Sequence, residues 1–246
     1  MAVGFRVRNQ STGLIQIADG YTNLQLAKSG VLDTGTFLPG STGGSPPSVN
    51  GGARGFLAST NATTNLHVIR YVNDNVQPIS GFTVVQSNIS CYIYASNQAA
   101  NKSLEYYTFN ALTTPASGPV GLRLKNENGA VYYDSRRKSL RVLHVITLPE
   151  ITGLPILIGQ YSVGTKIGIA IPSPRFYYNS VSQDRCTMSA DHFHMTSDNR
   201  IYGSRSPINS QILLSNTYPI GGATMGPQNA TIFIVDLSEV PLNFTA

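Results

Sequence analysis

Few side chains in this chain stand at spacings that support chemistry, and each such group has a plain structural use beside its chemical one. Asp191-His192-Phe193-His194 sets two imidazoles on one face of a strand, a spacing able to chelate zinc or iron. Two ligands do not complete a site, and the only other histidines, His67 and His144, each sit inside their own apolar strand pattern. His192 and His194 are therefore read as polar strand residues, and no metal or other cofactor is expected. Arg136-Arg137-Lys138, after Asp134-Ser135, is a basic run. It is either a solvated turn or a magnet for phosphate, anionic glycan or an acidic neighbouring subunit. Phe176-Tyr177-Tyr178-Asn179 lies among Ser, Gln, Asp and Arg, and reads either as core filling or as the amphipathic set used at protein and sugar contacts. Arg136, Arg137, Lys138, Tyr177, Tyr178 and Asn179 are thus the expected receptor or subunit contacts.

Catalysis has little to stand on. Asp33-Thr34-Gly35 matches the aspartic-protease signature, but that chemistry needs two such aspartates sharing a proton, and the corresponding place further on reads Leu148-Pro149-Glu150. There is no G-x-S-x-G, P-loop, H-E-x-x-H or G-x-G-x-x-G, so the chain is not read as an enzyme. Cys91 and Cys186 form no C-x-x-C pair and are read as reduced, buried small hydrophobes, with a disulfide as the alternative.

The elements that must carry these residues come from an unusual composition. Of 246 residues, 25 are Ser, 21 Thr and 19 Asn, while only 12% are charged. That is about half the usual quarter and excludes a coiled coil or a charged disordered tail. At 41% hydrophobic the chain has enough apolar matter to bury a core. No window approaches the roughly 18 uninterrupted apolar residues of a membrane span, and MAVGFRVRNQ has no signal-peptide core. A soluble protein made in a cytoplasm, with no membrane insertion, is expected. The net charge of +5 is spread over both halves, so neither is a nucleic-acid arm, and the basic run lacks the interleaved aromatics that bind single strands.

An internal repeat organises the chain. Residues 4–32 and 121–148 align with one gap at Thr12, placing Gly4, Arg6, Asn9, Gly13, Leu24 and Leu32 on Gly121, Arg123, Asn126, Gly129, Leu140 and Leu148. Apolar residues alternate with period two in both copies, so each is a strand, a polar turn with a glycine, and a returning strand. Further strands are expected at Leu66–Val72, Phe82–Val85, Ile89–Ala95, Tyr106–Phe109, Ile167–Ile171, Ile212–Leu214 and Thr231–Val235. No window keeps a helical apolar stripe. The expectation is an all-β chain of two tandem antiparallel β-sandwich domains from an internal duplication, at 1–117 and 118–246, joined near Ala116-Ser117-Gly118-Pro119. Asp33 to Gly55 holds seven Gly and three Pro in 23 residues and is expected as a long loop of the first domain.

The opening Gly4-Phe5-Arg6-Val7, the Asn9–Gly13 turn, the strand returning toward Asp19, and Tyr21 with Leu24 and Leu26 resemble the start of tail-tip and tail-fibre-associated proteins of tailed bacteriophages. Gly121–Leu148 repeats the pattern. The resemblance implies a structural virion protein of the distal tail, assembled in the host cytoplasm. It would be a homo-oligomer, a trimer above all or a hexamer, that joins other tail proteins or meets a bacterial surface glycan or receptor. A free carbohydrate-binding module and a capsid decoration protein are the alternatives; the absence of Trp counts against the first.

Overall fold

The computed structural model describes residues 6–8, 10, 15–18, 24–33, 38–39, 53–59, 65–74, 76, 81–86, 90–95, 103–111, 121–125, 129, 131–151, 154–182, 185–213, 222–225 and 230–245. Strands are the only regular elements among them. In chain order they are β1 (Arg6–Arg8), β2 (Ile15–Ala18), β3 (Gln25–Asp33), β4 (Leu38–Pro39), β5 (Ala53–Ser59), β6 (Leu66–Arg70), β7 (Phe82–Gln86), β8 (Ser90–Ala95), β9 (Ser103–Asn110), β10 (Arg123–Lys125), β11 (Val131–Asp134), β12 (Val142–Thr147), β13 (Ile156–Gln160), β14 (Ile167–Ser173), β15 (Phe176–Ser182), β16 (Arg185–Met195), β17 (Arg200–Leu213), β18 (Gly222–Met225) and β19 (Thr231–Asp236). The chain is all-β and its strands pair antiparallel. Among the described residues no helix is long and apolar enough to cross a membrane.

Two large sheets carry the core. One has six strands in the order β12-β19-β14-β6-β9-β3; the other has nine, with β13-β17-β16-β7-β8-β5-β4 as its path, β15 beside β16 and β18 beyond β15. Period-two alternation fills the space between them. Ile69, Leu104, Ile167, Ile169, Ile232 and Ile234 of the first sheet pack against Phe82, Val84, Phe193, Met195 and Ile201 of the second. Each such side chain contributes about 1.5 to 3 kcal/mol by leaving water.

The opposite face of the six-stranded sheet is apolar too, with Leu26, Val68, Tyr107, Phe109, Ala170 and Val235 all buried. The sheet hides this face by curling until its two edges meet. Leu26 N–H donates to Lys138 O at 2.8 Å and Leu140 N–H to Leu24 O at 2.9 Å, so the residues leading into β12 bond to the start of β3. The C-terminal segment then packs Leu237, Val240, Leu242 and Phe244 against these side chains. It is tied down at Ser29, whose Oγ donates to Pro241 O at 2.7 Å and whose N–H donates to Phe244 O at 2.8 Å. At the rim, the Tyr107 hydroxyl donates to Glu105, which also meets Lys166 at 2.8 Å and Arg70 at 3.7 Å.

Both large sheets run across residues 117 and 118. β6 pairs with β14 through Ile69↔Ile169 and Val68↔Ala170, and β7 meets β16 at Phe82↔Phe193. The stretches 1–117 and 118–246 are therefore not two sandwiches side by side: each supplies three strands of the six-stranded sheet, they supply four and five of the nine-stranded one, and one core draws on both. An alternation of buried and exposed residues is the same whether a strand's neighbour lies near or far in sequence, so the local pattern had no means of marking this. The junction at 116–119 lies outside the described residues. On either side of the β6–β14 seam the order repeats, β6-β9-β3 against β14-β19-β12.

The two hairpins also agree. Arg6↔Ala18, Val7↔Ile17 and Arg8↔Ile15 in one correspond to Arg123↔Asp134, Leu124↔Tyr133 and Lys125↔Val131 in the other, each with a register shift before the last pair. Gly129, at φ 81°, takes the left-handed conformation that the Asn-Gly turn predicts. The stretch 33–55, expected as one long loop, contains β4 and the start of β5, with 34–37 and 40–52 outside the described residues. The ladder to β8, with β4 pairing on the other side of Ala53 and Arg54, orders Ala53, Arg54 and Gly55 despite their poor strand composition.

Gly168 lies where β14 passes beneath the C-terminal segment, and a Cβ there would come within 2.7 Å of both Leu237 Cδ1 and Val68 Cγ1. Gly168→Val is expected to cost about 1 to 3 kcal/mol through overpacking, read as a lower urea midpoint at unchanged m-value. An unchanged midpoint would mean that the segment yields freely.

Candidate functional site

Each of the three expected groups occupies its own place. The basic run follows β11 in a tight turn built on Asp134, a fully buried carboxylate. Arg136 donates to it twice, from Nε to Oδ1 at 2.8 Å and from Nη2 to Oδ2 at 2.5 Å, with its own N–H adding a third bond at 3.1 Å. Arg123 Nε lies 3.3 Å from Oδ2. Hydrogen bonding to Asp134 holds the Arg136 guanidinium more firmly in its charged form. Lys138 faces Glu239 at 3.3 Å, and Arg141 faces Asp236 at 3.2 Å. A pocket of about 200 Å³ lies here, lined by Tyr133, Arg137, Lys138 and Arg141 together with Asp236 and Glu239. Its charges are mixed, so it suits a small polar group better than a polyanion. The sign of this surface was not legible from three consecutive basic residues, because Asp236 and Glu239 arrive from the far end of the chain.

Tyr177 sits in a cluster that only strand pairing assembles. β15 and β17 flank β16 over this stretch, so that Tyr177 pairs with Ser189, and Asp191 with Arg205. The Arg205 guanidinium lies 3.1 Å above the Tyr177 ring, and that of Arg175 lies 5.6 Å from it. Arg175 meets Asp191 Oδ2 at 2.8 Å and reaches Pro149 O at 2.7 Å, with both charged side chains almost wholly buried. Glu150 stands 3.7 Å from Arg205 and is largely exposed. Burial raises the carboxyl of Asp191 against the pull of Arg175 and raises the hydroxyl of Tyr177 as well. Asp191 Oδ1 and Arg205 Nε and Nη2 have no hydrogen-bond partner. The Arg205 guanidinium thus meets both the Tyr177 ring and the Glu150 carboxylate.

The sequence reading missed Arg175, Arg205 and Asp191 as partners of Tyr177. Lone arginines at those separations carry no local signal. Tyr178 and Asn179 continue β15, paired with Met188 and Thr187, but their side chains lie outside the described residues. So do the side chains of Cys91 and Cys186.

His192 and His194 project from the face of β16 opposite to Phe193 and Met195, and both are fully buried. His192 Nδ1 approaches Ala190 O at 3.0 Å; His194 stacks on Tyr202 at 5.5 Å between centroids. His192 Nε2, both ring nitrogens of His194 and Thr83 Oγ1 have no hydrogen-bond partner. No group of three or more His, Cys, Asp or Glu side chains that could hold a metal occurs among the described residues. His67 is buried on β6 with Nδ1 3.1 Å from Thr108 Oγ1, while His144 packs against Tyr161. Asp33 ends β3, and Thr34 and Gly35 lie outside the described residues.

No protein-family model matches this chain, and no curated protein or solved structure matches it.

Two measurements test this account. Asp191→Ala would leave Arg175 buried without its carboxylate and is expected to cost about 3 to 5 kcal/mol in urea unfolding; a loss below about 1 kcal/mol would show that water reaches the guanidinium. Burial also pushes His67, His192 and His194 from 6.5 down to about 4. Between those values the unfolded chain binds protons that the folded chain refuses, so stability is complete above pH 6.5 and falls as pH drops toward 4. Each histidine is expected to remove roughly 1 to 2 kcal/mol between pH 7 and pH 5. A flat profile in that window would mean that these rings reach water.

Proposed function

We propose that this chain is a non-catalytic structural component of the distal tail of a tailed bacteriophage, at the tip or on a fibre. It assembles with copies of itself about the tail axis, a trimer being the expected unit, joins other tail proteins and faces the bacterial surface. The observation that carries this reading is the pair of hairpins. The two segments whose residues resemble such tail proteins, opening at Gly4 and at Gly121, contain two-stranded ladders with matching register and a matching irregularity. In both, the strand after the hairpin, β3 or β12, then becomes an edge of the six-stranded sheet.

The same correspondence supports an internal duplication whose two units, 1–117 and 118–246, have merged their sheets instead of remaining a tandem pair. A register shift falls between Leu26 and Lys28 in β3 and between Val142 and His144 in β12, at positions that the sequence repeat aligns. Bulges are specific local features, so their agreement favours common descent over chance. On this reading the Tyr177–Arg205 cluster and the mixed-charge turn at Arg136 are contact surfaces for a neighbouring subunit or for small polar groups of a surface glycan.

Gold-labelled antibody to the chain, applied to purified particles, tests the proposal. Label at the end of the tail away from the head is expected. Label on the head would make it a capsid decoration protein. No label, with glycan binding by the free chain, would make it a sugar-binding module.

A further inference from the structure

Phe193 and Met195 turn one face of β16 to the core, and His192 and His194 stand on the other, both fully buried. Burial without hydrogen bonding is costly for an imidazole, so native proteins seldom leave one in that state unless it holds water or an ion. Here three of the four ring nitrogens have no partner: His192 Nε2 and both nitrogens of His194. The same holds for Thr83 Oγ1, also fully buried. Thr83 follows the Phe82 that pairs with Phe193, and so lies on the histidine face of β7. On β17, Ser204 stands opposite His192 and is buried as well.

The neighbours of these rings fix where their lone pairs are. Ala190 O only accepts, so His192 Nδ1, 3.0 Å from it, carries the proton and leaves Nε2 as a bare lone pair. Metal-binding histidines adopt that arrangement, with one nitrogen donating to a carbonyl and the other turned to the ion. His194 stacks on Tyr202 and makes no hydrogen bond, so either of its nitrogens can present the lone pair. Burial keeps both rings neutral near pH 7, the form that ligates metals. Alternate residues of a strand share a face and stand about 7 Å apart, a separation across which two imidazoles can lean onto one ion.

We infer that His192 and His194 together hold a single monovalent copper ion. The ligand set selects it. Neutral imidazoles suit late transition metals, whereas calcium and magnesium take oxygen ligands. Among the described residues no carboxylate or thiol joins the two rings in a metal-ligating group. A divalent ion would therefore bring two uncompensated charges into a buried face, where monovalent copper brings one. Two nitrogen ligands also suffice for monovalent copper, while zinc takes four ligands. The ion braces β16 from the side away from the core. This site does not depend on the tail reading.

Anaerobic titration of the purified full chain with Cu(I), against bicinchoninate as a competing chelator, tests the inference. One copper per chain is expected. Its X-ray absorption spectrum is expected to show nitrogen scatterers and no sulfur, which separates this site from the thiols of Cys91 and Cys186. His192→Gln or His194→Gln is expected to weaken binding about tenfold or more. His67→Gln is the control: it removes a buried imidazole with an unpartnered Nε2 from β6 of the other sheet, and is expected to leave binding intact. Should the variants fail to fold, the wild-type stoichiometry and spectrum decide the question without them. No uptake of copper, sulfur among the scatterers, Zn(II) bound as tightly as Cu(I), or an equal loss with His67→Gln would overturn the inference. Particle labelling is unaffected by any of these results, so the tail reading and this site fail separately.

Discussion

Burial of the six-stranded sheet on both faces is the constraint from which the remaining architecture follows. Ile69 and Ile169 lie opposite each other at its centre, facing the nine-stranded sheet, while Val68 and Ala170 beside them face the other way and are equally buried. A sheet with one apolar face can leave the second to water; this one has two and needs two covers. The nine-stranded sheet supplies the first. The second comes from curvature, as the starts of β3 and β12 meet through Leu24 and Leu140, and from the C-terminal segment laid over the opening. Gly168 has no room for a side chain because Leu237 of that segment and Val68 pass close to it.

Low charge and a large core are two sides of one economy. With 12% of residues charged, few carboxylates have to be placed, yet two of them, Asp134 and Asp191, are almost wholly buried. Each is held by arginine in direct contact, Arg136 for the first and Arg175 for the second. A buried ion pair adds little net stability over an apolar replacement, but a broken one is costly, so such pairs penalise alternative registers. Asp134 anchors the turn that brings Lys138 and Leu140 onto β3. Asp191 couples β16 to β15 and, through Arg175, to the carbonyl of Pro149.

Residues that looked most chemical from their type are those most absorbed into structure. Arg136 is spent on Asp134, and His192 and His194 sit inside a sheet face, neutral near pH 7 because burial disfavours their charged form. Among the described residues the surface shows the mixed-charge pocket beside Arg137 and the uncharged flank of β12 and β13.

Period-two alternation and Gly/Asn turns were sufficient to establish strands, because side chains on a pleated ribbon sort by face whatever the partner strand is. They located β6, β7, β8, β9, β14 and β19 and made the two hairpins recognisable as versions of each other. They also placed His192 and His194 together on one face, which depends on nothing beyond the strand's own geometry. Which strands become neighbours is a different matter, since hydrogen bonds between backbones carry no record of side-chain identity. The seams at β6–β14 and β7–β16, the closure at Leu24 and Leu140, the gathering of Arg175, Tyr177, Asp191 and Arg205, and the place of β13 at the end of its described sheet all come from that pairing, and tertiary structure alone decided them.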